Sequence, residues 1–122
     1  MVLHWEKLDS DMKGILILNS LAFLILKRLV GNNIEIKANC SITGGSLKST
    51  IMGCGTKING LVHIAHNTAI GKNCQITAGA VIGGSVSIGD NSWLGLNCTL
   101  KHKIKVGQRA IVGSGASVIS DI

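Results

Sequence analysis

Hydrophobic residues recur along this chain with a period of six from Ile51 to its last residue. Cut into sixes, the segment reads IMGCGT, KINGLV, HIAHNT, AIGKNC, QITAGA, VIGGSV, SIGDNS, WLGLNC, TLKHKI, KVGQRA, IVGSGA, SVISDI. The second place of every block is aliphatic or Met, from Met52 and Ile58 to Val112 and Val118. The sixth is mostly small, the third is usually Gly, and the fifth is rich in Gly and Asn. A residue that is aliphatic every six places must point inward. A small residue four places later shares a narrow interior. Gly and Asn tolerate the left-handed backbone angles that a tight corner needs. Three short strands joined by three such corners make one triangular coil of 18 residues, and coils stack at strand spacing, about 4.8 Å. The pattern predicts an all-β protein, a left-handed parallel β-helix of about five triangular coils. This architecture is an exception to the right-handed crossover preference.

Upstream the pattern loosens. Residues 33–50 read as one irregular coil, with Ile34 and Cys40 in the inward second place and Ser46 breaking the frame. Residues 15–26 are apolar apart from Asn19 and Ser20, and Lys27 and Arg28 follow. Apolar on all sides, this stretch predicts a buried helix. It would cap the open end of the β-helix, because an exposed strand edge invites aggregation. The run is short for a membrane span, and membrane contact through it is the less favoured alternative. The expected organisation is a helical capping segment over 1–32 and a β-helix domain over 33–122.

Composition agrees with a thin, repetitive core. Hydrophobic residues make up 46% of the chain but aromatics only 2%. The 16 Gly and absence of Pro argue against a disordered chain. Asp9 and Asp11 precede the apolar run and no small-residue cleavage pattern follows it, unlike a signal peptide. Cys40, Cys54, Cys74 and Cys98 show no CxxC spacing, so neither structural zinc nor a disulfide framework is expected. Reduced cysteines fit a cytoplasmic protein. A net charge of +6 suits an anionic ligand, but scattered cations and few aromatics do not suit nucleic acid.

A closed prism hides its interior, so chemistry must use the faces and corners. Residues 18 apart share a column. One corner column is His66, Gly84, His102 and Ser120. Its histidines are two coils apart, about 10 Å, with Gly84 leaving an open notch between them. An imidazole there could take a proton from an amine or hydroxyl; two solvated histidines are the bland alternative. His63 faces outward in a column with Val81 and Thr99 and reads as a supporting residue; His4 lies outside the repeat. Cys74 and Cys98 fall in inward places. Cys54 stands at a corner that has no histidine. Lys101, Lys103, Lys105 and Arg109 cluster late in the chain and could attract phosphates or serve only solubility.

These blocks resemble the hexapeptide-repeat acyltransferases over residues 33–122. The segment KINGLVHIAHNTAIGKNC is similar to the UDP-3-O-acylglucosamine N-acyltransferases, and AIVGSGASVISDI resembles the sialic-acid and bacillosamine-type sugar acetyltransferases. The resemblance implies a homotrimer with sites between neighbouring prisms. It implies acyl transfer from acetyl-CoA, or from an acyl carrier protein, to an amine or hydroxyl of a nucleotide sugar. His66 would be the general base and His102 a second functional histidine, one residue out of register. Backbone amides near Gly84 would hold the oxyanion. Lys103, Lys105 and Arg109 would meet the cofactor, and no metal is implied. The chain departs from the pattern at Asn67, where an acidic residue often follows the base. A non-catalytic scaffold and a γ-type carbonic anhydrase are the other readings. The latter needs a third zinc ligand at a place held by Gly107.

Overall fold

In the computed structural model the described residues are 2–4, 15–17, 33–37, 39–43 and 50–122. They form short strands on three sheets, which are the three faces of a prism. Face I stacks Glu35–Lys37, Lys57–Ile58, Gln75–Ile76, Trp93–Leu94 and Ile111–Val112. Face II stacks Ser41–Thr43, His63–Ile64, Val81–Ile82, Thr99–Leu100 and Ser117–Val118. Face III stacks Ile51–Met52, Ala69–Ile70, Ser87–Ile88 and Lys105–Val106. All of these pairings are parallel. The result is a left-handed parallel β-helix of four full turns and two sides of another.

The register shows why the period is strict. Val81 pairs with His63 below and Thr99 above, 18 residues each way. A shift of one residue would turn every inward side chain out. Ile58, Ile64, Ile76, Ile82 and Leu94 are fully buried, and Ala80, Cys74 and Cys98 fill the narrow corners beside them. The fifth place carries left-handed φ at every corner, whatever the residue. Asn67, Asn73 and Asn91 adopt it easily, but so do Leu61 (61°), Lys103 (66°) and Arg109 (55°). Closure of the coil therefore imposes the angle, and Gly or Asn only lowers its cost.

The sixth place also holds coils together. Thr56 Oγ1 donates to the Gly71 carbonyl at 2.8 Å, and Ser92 Oγ to Gly107 at 2.8 Å. Cys74 Sγ donates to Gly89 at 3.2 Å. Each satisfies a carbonyl of the next coil that the sheets leave unpaired, which is why hydroxyls and thiols are tolerated in this core. Burial pushes the thiols of Cys40, Cys74 and Cys98 above the ordinary value.

Two upstream expectations change. Glu35 pairs with Lys57 and Ser41 with His63, 22 residues apart instead of 18. The frame therefore slips by four residues between Thr43 and Thr50. Ile34 and Cys40 are buried as expected, but in the sixth place; Ile36 and Ile42 hold the second. Left-handed φ at Asn33 and Asn39 marks the true corners. Ser46 lies outside the described residues. The helix over 15–26 is corrected at its start: Ile15–Ile17 is a strand, antiparallel to Ser41–Thr43. Residues 18–26 lie outside the described residues. Val2–His4 likewise pairs antiparallel with Glu35–Lys37. Strand pairing covers these two sheet edges, the need that had suggested a helical cap.

Candidate functional site

The edge between faces II and III carries His66 and Asn67, Gly84 and Ser85, then His102 and Lys103, one pair per coil. Backbone bonds lock the stack: the Ser85 amide donates to the His66 carbonyl at 2.9 Å, and the Lys103 amide to the Gly84 carbonyl at 2.9 Å. Both imidazoles are exposed. The notch expected at Gly84 is not open. A Cβ on Gly84 would lie 2.8 Å from His66 Cε1 and 2.9 Å from Nε2. The His66 ring leans along the edge over Gly84 and fills the space. The Gly84 amide has no acceptor among the described residues.

Beside the edge, His63 is exposed on face II, directly under Val81. Asn67 does not stand in for a carboxylate behind the base, because its Oδ1 is buried and has no partner among the described residues. Lys101 is exposed at the end of the Thr99–Leu100 strand, Lys103 on the edge itself, and Lys105 on face III just past it. Arg109 is separated from this group. It sits on the edge between faces III and I, in the column of Asn73 and Asn91. Consecutive corners of a coil belong to different edges, so closeness in sequence does not bring Arg109 to His102. Cys54 is exposed on that same III/I edge, away from the histidines. Among the described residues no three of His, Cys, Asp or Glu converge as a metal-binding group, and Gly107 cannot serve as a ligand.

One signal was not read from the sequence: the side chain one coil up decides whether a corner amide is capped. Asp90 Oδ1 accepts from the Lys72 amide at 2.8 Å, and Ser114 Oγ from Leu96 at 3.1 Å. On the histidine edge, glycine above His66 offers no such group. The Gly84 amide is left uncapped beside the exposed His66 imidazole, so a hydrogen-bond donor and a candidate proton acceptor lie together on this edge.

Residues 49–84 match the family described as bacterial transferase hexapeptide (six repeats), and residues 85–120 the hexapeptide repeat of succinyl-transferase. The chain belongs to the hexapeptide-repeat transferase family. It is 48% identical over 50 residues to a UDP-3-O-acylglucosamine N-acyltransferase of Bradyrhizobium diazoefficiens, covering 41% of this chain and 14% of that protein. A counterpart from Ruegeria pomeroyi is 40% identical over 47 residues, 38% of this chain and 13% of that one. The chain thus matches only about one-seventh of the length of these relatives. Among solved structures, a variant of perosamine N-acetyltransferase from Caulobacter crescentus, in complex with CoA and GDP-perosamine, superposes with a TM-score of 0.72 at 22% identity. It covers 77% of this chain and 43% of that one. That likeness establishes the fold.

Proposed function

We propose that this protein transfers an acyl group from a thioester donor to an amine or hydroxyl of a sugar, with His66 as general base. The observation that carries the reading is the exposed His66 imidazole, held beside an uncapped Gly84 amide on one edge of a hexapeptide-repeat prism. His66 takes the proton of the acceptor as its nitrogen or oxygen attacks the thioester carbonyl. The Gly84 amide meets the oxyanion of the tetrahedral intermediate, and the thiolate leaves. His102, two coils along, meets the acceptor or the leaving group.

The donor is acetyl-CoA, or an acyl carrier protein with a longer chain. The Caulobacter enzyme is bound to CoA and to a nucleotide sugar, which supports CoA and a nucleotide-sugar acceptor. Lys103 and Lys105, both exposed beside the histidine edge, would meet donor phosphates. Arg109 faces another edge and is left out of a site within one prism. A homotrimer with sites between neighbouring prisms, and a cytoplasmic location, belong to the same reading.

The test is a donor–acceptor screen of the wild type against His66→Ala, with acetyl-CoA and acyl carrier protein as donors and nucleotide amino sugars as acceptors. Turnover should fall by about 10²- to 10⁴-fold in the variant. Full activity in the variant would remove His66 from the mechanism. A wild type that no acyl-CoA stabilises thermally and that turns over no donor would favour a scaffold.

A further inference from the structure

The glycines of the repeat fall into distinct physical groups. At Gly53, Gly71, Gly83, Gly89 and Gly95 an added Cβ would strike backbone of the next coil. At Gly55 and Gly79 the backbone is left-handed, and the Asn73 and Asn97 carboxamides lie where a Cβ would go. Those glycines serve the fold. Gly113 has open space around its missing Cβ. Gly84 differs from all of these in meeting an imidazole. Its φ is not left-handed, and the three nearest atoms to a Cβ are Cε1, Nε2 and Nδ1 of His66, at 2.8, 2.9 and 3.4 Å. The fourth place of a block also accepts side chains freely elsewhere, as Lys72, Asp90 and Leu96 show. Nothing in the coil geometry demands a glycine at 84.

We propose that Gly84 is a positioning residue, whose missing Cβ forms the seat that sets the His66 ring over the next coil. This deepens the acyltransferase reading and rests on it for its kinetic consequence, but the seat is a property of the free protein. The ring needs such a device. It is exposed, Asn67 Oδ1 does not hold it, and no hydrogen bond from another side chain orients it among the described residues. Occupying the place of the missing Cβ limits the ring's rotamers and keeps it beside the amide assigned to the oxyanion. A methyl group at 84 occupies that space and pushes the ring outward, leaving the amide and the fold in place.

The experiment compares wild type, Gly84→Ala and Gly113→Ala by NMR with labelled histidine, by thermal unfolding and by kinetics. The wild type should show a nuclear Overhauser effect between His66 Hε1 and Gly84 Hα. In Gly84→Ala the His66 ring signals should move with the midpoint of unfolding nearly unchanged. In an active enzyme kcat should drop about 10- to 100-fold, with the donor KM retained. Gly113→Ala should leave all three readouts as in the wild type. Absence of that Overhauser effect in the wild type, unmoved ring signals in Gly84→Ala, or undiminished kcat in that variant would each overturn the proposal. Ring movement without turnover in any of the proteins would uphold the seat and refute the acyltransferase reading instead.

Discussion

Two edges of this prism are built by the same six-residue rule and end up doing different things. On the III/I edge side chains tie each coil to the next from inside and, at Lys72, from outside as well. Thr56, Cys74 and Ser92 form a continuous inner ladder of donors to the carbonyls above them. Outside, Asp90 caps the Lys72 amide and Asn73 lies against Gly55. On the II/III edge the inner ladder stops at Thr68, which bonds to Ala65 and Gly83. Above it the same column holds Val86 and Ile104, which are apolar. The outer amides at His66 and Gly84 are uncapped and the imidazoles are exposed. The contrast teaches that a repeat prism can leave one edge free of cohesive side chains where a neighbouring edge supplies them. Polar groups that stay unsatisfied on one edge are available to a ligand.

The largest effect that would break this contrast is the loss of turnover in His66→Ala, about 10²- to 10⁴-fold, with thermal stability unchanged because the ring is exposed. An equal loss of stability would mean that the histidine edge is structural too. The reverse profile is expected inside the prism. Ile76→Ala, at a fully buried position, should lower the unfolding free energy by about 2–5 kcal/mol in a denaturant titration. On the cohesive edge, Ser92→Ala removes both the donor to Gly107 and the acceptor for the Ala110 amide. The cost should be about 1–3 kcal/mol with kcat intact. A smaller gain is expected at Leu61, which is 64% exposed and held at φ 61°. Leu61→Asn should relieve about 1 kcal/mol of left-handed strain, read as a higher midpoint of unfolding.

The cysteines give a pH-dependent version of the same comparison. The thiols of Cys40, Cys74 and Cys98 are raised chiefly by desolvation. A raised folded-state value means that the native state favours the protonated thiol. This stability is fully present below the ordinary thiol value of 9.0 and is lost as pH rises through the raised values. Stability should therefore decline at strongly alkaline pH. Iodoacetamide on the native protein should label the exposed Cys54 well before the three buried thiols, as peptide mapping would show.

Most of the site was legible because the period converts sequence position into place. The spacing of His66, Gly84 and His102 by 18 puts them on one edge from the sequence alone. The same arithmetic put Cys74 and Cys98 in the core and Cys54 on a corner. It failed where the period is interrupted. Extending the frame upstream from Ile51 assigned Ile34 and Cys40 to the wrong place, since four extra residues between Thr43 and Thr50 cannot be recognised without knowing which strand pairs with which. Arg109 stands near the lysines in sequence but on another edge of the same prism. The column decides the edge, and six residues along this chain is a different edge.

The sequence by itself determined the strand, the corner and the inward face of the blocks from Ile51 to Ala116, because burial in a narrow prism tolerates no slip of phase. Only the tertiary structure decided what occupies the gaps between coils. A column arithmetic has no side-chain directions in it, so it could show that Gly84 lies between two histidines and leave the space looking empty. The orientation of His66 filled that space, and the caps supplied by Asp90 and Ser114 showed which corner amides remain available. Those contacts run between residues 18 apart that meet only when the coils stack.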